Sequence, residues 1–204
     1  MLLPALALVV LAGLSALVAA RAPGLVRADA VVSAAARRFT AGHGWWRAAM
    51  AGISHSADPV VLRVILAVVL GGLLLARRVR AALFVALVAA AGTGARLGLL
   101  HLVARPRPAD RLAAAYGFSF PSGHTTSSAL VAGAAVVLLG VLFPTGAAGR
   151  ITAGVLMMWA VLVGLSRIAL VVHWPTDVLG GWLLATAVIA GLAPTLGERH
   201  HLGS

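Results

Sequence analysis

An all-α, polytopic membrane bundle with six transmembrane helices is the fold this sequence predicts, on three observations. Hydrophobic residues make up 61% of the 204 and charged residues only 10%, at a mean hydropathy of +1.03. A soluble domain of that make-up would be coated in apolar patches. Apolar runs approaching the ~20 residues that cross ~30 Å of hydrocarbon recur along the chain, cut by short arginine or proline punctuation. In lipid such runs have to be helical, because each backbone polar group needs a partner within its own segment.

The first run, Leu2–Ala20, ends in small residues as a secretory signal peptide does. It lacks a basic n-region and is long for an h-region, so it is read as a span. Residues 21–58 form the one long hydrophilic connection. Within it Val26–Phe39 mixes Val and Ala with Arg27, Asp29, Arg37 and Arg38, which suits a helix lying on the membrane surface; an ordinary solvated loop is the alternative. The remaining spans are Pro59–Ala76, Ala81–Val103, Thr125–Phe143, Ile151–Val172 and Asp177–Leu192. With no internal repeat or low-complexity linker, residues 1–204 are expected to form a single membrane domain, with the core motifs between residues 100 and 177.

The net charge of +11 comes from 16 arginines against five acids, with no lysine. The arginines are scattered between apolar runs and not gathered on one polar face, which argues against nucleic acid and for anionic lipid headgroups or phosphate as partners. The absence of cysteine excludes disulfide and thiolate chemistry.

Three short strings carry the chemistry: Arg105-Pro106-Arg107-Pro108, Pro121-Ser122-Gly123-His124, and Ser166 to Asp177 with Arg167 and His173 inside it. If six helices alternate in direction, all three emerge on one face. Arg167 follows a long apolar run, and a guanidinium beside hydrocarbon costs several kcal/mol unless an anion pairs with it. Its planar fork suits two phosphate oxygens at once. Arg105 and Arg107 stand in a proline-stiffened loop, either presented to an anion or acting as membrane-boundary anchors. Ser122 and Gly123 precede a span, so the serine can cap the helix and the glycine lets a ligand approach its positive end.

His124 adds a titratable group at that helix mouth, beside Thr125, Thr126, Ser127 and Ser128. His173 and Asp177 are four apart; a carboxylate there fixes the imidazole tautomer and supports its cation, leaving the other ring nitrogen free to act. Pro175 between them disfavours helix at Trp174, so a turn leading into the last span is expected. His55 and Asp58 form a similar pair without arginine or a Ser-Gly turn nearby, and read as loop chemistry or capping.

The strings resemble the signature of the type 2 phosphatidic acid phosphatase superfamily, KxxxxxxRP, PSGH and SRxxxxxHxxxD. The second and third match at every specified position, and 12 residues separate Pro108 from Pro121 while 41 separate His124 from Ser166. The resemblance implies a hydrolase of phosphoric monoesters or diphosphates on membrane lipids, needing neither metal nor cofactor. His173 would be the nucleophile that becomes phosphohistidine, Asp177 its orienting carboxylate, and His124 the acid that protonates the leaving oxygen and then activates water. Arg107, Ser122, Gly123 and Arg167 would hold the phosphate.

The first string departs from the family, since Leu100 stands where its lysine belongs. Arg96, one helical turn earlier on roughly the same face, is the candidate replacement as a phosphate-binding residue, with a helix–helix hydrogen bond as its other reading and His101 as the adjacent alternative.

The tight Arg77-Arg78-Val79-Arg80 turn argues that its end of the bundle is cytoplasmic, placing the motif face outside the plasma membrane; the five arginines of residues 21–58 argue the opposite. Polyprenyl diphosphate heads the expected substrates, with phosphatidate and phosphatidylglycerophosphate next. The competing readings are phosphoryl transfer to an acceptor other than water, vanadate chemistry in the same pocket, and a non-enzymatic scaffold or transporter.

Overall fold

The computed structural model describes residues 2–142 and 146–196. These form eight α-helices: α1 (Leu2–Ala19), α2 (Pro23–Gly42), α3 (Gly44–His55), α4 (Pro59–Leu75), α5 (Val79–Val103), α6 (Gly123–Leu142), α7 (Ala147–Ala169) and α8 (Pro175–Leu192), followed by a 3-10 turn at Ala193–Leu196. Six stretches are long and apolar enough to cross a membrane: α1, the segment Gly44–Leu75 that ends in α4, α5, α6, α7 and α8 with its trailing turn. Large apolar side chains such as Leu8, Val68, Leu83, Val155 and Leu179 remain exposed on their outer faces, the surface a lipid environment requires. The six-span all-α reading therefore holds, with Phe143 of the expected fourth span lying outside the described residues.

The connection at 21–58 needs correction. It is almost wholly helical, and its second half, α3, runs to His55 and meets the second span, α4, through a turn at residues 56–58. The expected surface segment Val26–Phe39 falls inside α2. There Asp29, Ser33 and Thr40 are buried, while Val26, Val31, Val32 and Phe39 are exposed beside Arg27, Arg37 and Arg38.

Local chemistry sets the helix ends. Asp58 caps α4, its Oδ1 accepting the Val60 N–H at 2.7 Å, with Pro59 at the first helical position. Pro175 likewise starts α8. Arg21, Arg77, Ala104 and Val171 lie in the left-handed region just after α1, α4, α5 and α7.

Packing centres on α6 and α8. Helix α6 lies against α7 and α8, and α8 also contacts α1 and α5. Phe84, Val85 and Val88 of α5 meet Leu130 and Ala134 of α6 and Ala185 of α8. Leu11 and Val18 of α1 cluster with Leu184 and with Phe120 from the loop before α6. The first span is thus built into the core. Phe120 can lie so close to α8 only because residue 180 is glycine: a Cβ there would stand 2.6 Å from the ring. Alternation of the spans brings the ends of α5 and α7 and the starts of α4, α6 and α8 to one face.

Candidate active site

At the end of α7 the chain reverses through a Schellman turn. The Val171 N–H bonds the Ile168 carbonyl at 2.9 Å and the Val172 N–H the Arg167 carbonyl at 3.1 Å. Val171, at φ +54°, holds the left-handed place that glycine usually takes. A β-branched residue there carries a strain of about 1–2 kcal/mol. The reversal delivers His173 to the threshold of α8, where Asp177 accepts the Trp174 N–H at 2.8 Å. The expected turn between histidine and carboxylate is present.

His173 is buried between an acid and a base. Its Nδ1 lies 3.4 Å from Asp177 Oδ2, and its Nε2 lies 2.8 Å from Arg107 Nη1. A guanidinium can only donate, so Nε2 is the acceptor and Nδ1 carries the proton facing the carboxylate. Burial pushes the His173 pKa down to about 4, aided by the charges of Arg107 and Arg167 and opposed by the hydrogen bond and charge of Asp177. At neutral pH the ring is therefore uncharged, with the Nε2 lone pair turned toward the arginines. That is the state a nitrogen nucleophile requires.

Both oxygens of Asp177, itself fully buried, are engaged. Oδ1 accepts from Arg105 Nη1 at 2.8 Å, and Oδ2 serves Trp174 and His173. The loop between α5 and α6 is stitched to the same turn. Arg107 donates from Nη1 to the Val172 carbonyl at 2.8 Å and from Nε to the carbonyls of Tyr116 and Gly117. Trp174 Nε1 donates to the Pro106 carbonyl at 3.0 Å.

Two more arginines close the cradle. Arg167 is buried near the end of α7, donating from Nη1 to Ser54 Oγ of α3, and its Nε has no partner among the described residues. The buried Nε of Arg96 is likewise unpartnered. Its guanidinium lies against Gly123 at the start of α6, where a Cβ would come within 2.8–3.0 Å of it. Among the described residues the arginine–carboxylate pairs are Arg37–Asp110, Arg105–Asp29 and Arg105–Asp177. Arg96, Arg107 and Arg167 thus present three guanidinia without a carboxylate, a donor set for an oxyanion.

His124 is the second residue of α6, and the charges of Arg167, His173, Asp58 and Arg107 all act on it. Ser122 is buried and ties α6 to α8, its N–H donating to the Asp177 carbonyl at 3.0 Å. Its hydroxyl accepts from Thr125 Oγ1 at 2.9 Å, so the expected side-chain cap of the backbone is replaced by a hydroxyl pair. The Ser122 carbonyl begins the helix by accepting the Thr126 N–H at 2.9 Å. Asp58 and His55 act locally, one as the α4 cap and the other through Nδ1 on the Ala51 carbonyl.

The sequence reading left out Asp29, Arg105, Ser54 and Thr176 as site residues. Asp29, one of only five acids, lies in a stripe with Ser33 and Thr40 that marks the buried face of α2; that stripe was the available signal. Ser54 offered none.

The profile of the PAP2 superfamily matches residues 79–200, more than half of the chain. The chain belongs to the PAP2 superfamily. Phosphatidylglycerophosphatase B of Bacillus subtilis is 33% identical over 145 residues, 69% of this chain and 70% of that protein. The protein of that name from Escherichia coli is 37% identical over 83 residues, spanning 41% of this chain and only 30% of its own length. An undecaprenyl-diphosphatase of Sulfolobus acidocaldarius is 33% identical over 87 residues, 40% of this chain and 32% of that protein. Among solved structures, a transmembrane PAP2-type phosphatidylglycerolphosphate phosphatase from Bacillus subtilis superposes over the whole of both chains at a TM-score of 0.87 and 26% identity. The PAP2 fold and the multi-pass membrane architecture follow from these matches together with the six apolar spans.

Proposed function

We propose that this PAP2 protein is a lipid phosphatase that cleaves a phosphate or diphosphate headgroup by two displacements on phosphorus. The observation that carries the reading is the convergence of a neutral, carboxylate-backed His173 with three guanidinia that have no carboxylate of their own. In the first displacement Nε2 attacks phosphorus, the bond to the lipid oxygen breaks, and His124 gives that oxygen a proton. Asp177 stabilises the charge that the ring acquires. In the second, His124 takes a proton from water, the water oxygen attacks phosphorus, and the P–N bond breaks to release inorganic phosphate and neutral His173. Arg107 turns from Nε2 to the phosphate oxygens when substrate enters, and Arg96, Arg167 and the α6 N-terminus with Ser122 and Gly123 share the transition-state charge.

A phosphatidylglycerophosphate-like substrate stands first, because the relative and the structure that match most of this chain carry that name. Polyprenyl diphosphate, first on sequence alone, is the second reading, supported by the name of the Sulfolobus relative. An apolar cavity of about 320 Å³ between α4, α5 and α6 reaches Ser127, one turn along from His124, and fits a lipid tail. The test is phosphate release by purified protein from phosphatidylglycerophosphate, phosphatidate and polyprenyl mono- and diphosphates, with EDTA present. Turnover of at least one lipid, undiminished by the chelator, is expected. Loss of turnover on chelation would count against the two-histidine mechanism, and no turnover of any lipid would favour the scaffold or transporter reading.

The motif face is assigned to the outer side of the plasma membrane on the Arg77-Arg78-Val79-Arg80 cluster at the opposite end. The chain has no native cysteine, so single cysteines report sidedness cleanly. Tyr116→Cys, in the exposed loop on the motif face, is expected to react with a membrane-impermeant maleimide on intact cells, and Arg78→Cys only after lysis. The reverse pattern would invert the topology.

A further inference from the structure

Asp29 is remote in sequence from every motif, yet it is almost completely buried against the catalytic turn. Its Oδ2 accepts from Arg105 Nη2 at 2.6 Å and from Thr176 Oγ1 at 2.6 Å, and its Oδ1 accepts the Thr176 N–H at 3.1 Å. Arg105 in turn donates from Nη1 to Thr176 Oγ1 at 2.7 Å and to Asp177 Oδ1 at 2.8 Å. One guanidinium is thereby clamped between two carboxylates, and the far carboxylate belongs to α2. We propose that Asp29 is a positioning residue for His173, acting from α2 through Arg105 and Asp177.

Two physical effects follow from the geometry. First, Asp29 satisfies one of the unpaired N–H groups at the start of α8 and fixes the Thr176 hydroxyl, which holds the turn bearing His173 and Asp177 in register. Second, it balances charge. Arg105 alone would cancel the negative charge of Asp177, whereas Arg105 shared with Asp29 leaves one net negative charge in the group. That surplus is available to the ring when it gains positive character on attacking phosphorus. Asp29 touches none of Arg96, Arg107 or Arg167, so it is placed to affect the chemical step and not the grip on phosphate.

The inference rests on the phosphatase reading, and its test separates the two. Asp29→Asn keeps the size and most of the hydrogen bonding while removing the charge. It is expected to lower kcat on the preferred lipid about 10- to 100-fold, with KM changed less than about twofold. Arg105 then cancels Asp177 and the group loses its surplus negative charge, which disfavours the imidazolium, so the acid limb of kcat/KM moves to lower pH. Arg105→Gln moves that limb the other way, and the charge-balanced double variant returns it toward wild type. The other charged and titratable groups acting on His173, namely Arg107 from the α5–α6 loop, Arg167 from α7 and His124 from α6, are untouched in all three variants.

Arg37→Gln is the control: it breaks the other link of α2, the exposed 3.8 Å pair with Asp110, and is expected to leave kcat unchanged. Imidazole 15N spectra of His173 follow the same titration without turnover, so the inference stays testable if no tested lipid is hydrolysed. Should Asp29→Asn fold yet retain wild-type kcat and titration, or should both single variants lose activity with no opposite shifts, Asp29 is a structural anchor and the proposal is overturned.

Discussion

Alanine at position 173 is expected to reduce phosphate release to background, a loss of about 10⁴-fold or more, as removal of a covalent nucleophile does elsewhere. Much of that loss would also follow from a broken cradle, so the decisive comparison is with His124→Ala. Given p-nitrophenyl phosphate, whose leaving group needs no proton, the His124 variant still makes the first displacement but cannot activate water. It is expected to release one equivalent of nitrophenolate in a burst and to retain label as an acid-labile phosphoramidate, while the His173 variant does neither. Label on both variants, or turnover by the His173 variant, would remove His173 from the nucleophile role.

The pH dependence has a definite sign. Desolvation is the largest influence on His173 and holds it at about 4 in the substrate-free protein. Attack requires the neutral ring, so the His173 limb of kcat/KM falls as pH drops through that value, while loss of the His124 proton sets the opposite limb. The dianionic substrate partly offsets the fields of Arg107 and Arg167, so the corresponding limb of kcat lies at higher pH. The same shift bears on stability. Between about pH 4 and 6.5 the unfolded chain binds a proton at residue 173 that the folded chain does not, so folding weakens as pH falls through that window.

Much of this architecture was legible because membrane helices announce themselves by run length alone, and because the motifs lie at span ends where alternation forces them onto one face. The His173–Asp177 pair was readable for a local reason: four positions with a proline between them can hardly avoid contact. What escaped was the support behind them. Asp29 reaches Arg105 across 76 positions and Ser54 reaches Arg167 across 113, and no periodicity in either partner names the other. Helix α3 was hidden for a different reason, since Arg47, His55 and the small residues between them lower the local hydropathy and leave a short helix ahead of the span that starts at Pro59. Arg105 shares with Arg107 the two readings of anion binding and boundary anchoring, and nothing in a proline-flanked loop reveals that the first arginine turns inward to two acids.

Arg96, one turn before the Leu100 that stands at the lysine place of the family string, carries the second large effect. The side chain brings a guanidinium into α5 with its Nε buried and unpartnered, pressed on Gly123 at the positive end of α6. A cation so placed is costly in a span unless an anion joins it. Arg96→Leu is expected to lower kcat/KM by about 10²–10³-fold, the usual effect of deleting one preorganised donor from developing negative charge. Arg96→Lys should recover only part of this, because an ammonium lacks the fork.

The decisive arm is compensatory. Leu100 lies one turn further along α5 at the family's lysine position, so Leu100→Lys in the Arg96→Leu background is expected to restore activity at least about tenfold, while Leu100→Lys alone gains little. Gly123→Ala supplies an independent check, because its Cβ would displace the Arg96 guanidinium. It should cost much in the wild-type protein and little once Arg96 is gone, the coupling expected of groups in direct apposition. If Arg96→Leu leaves kcat/KM intact and the two losses simply add, the guanidinium is a helix-packing group and the cradle contains two arginines instead of three.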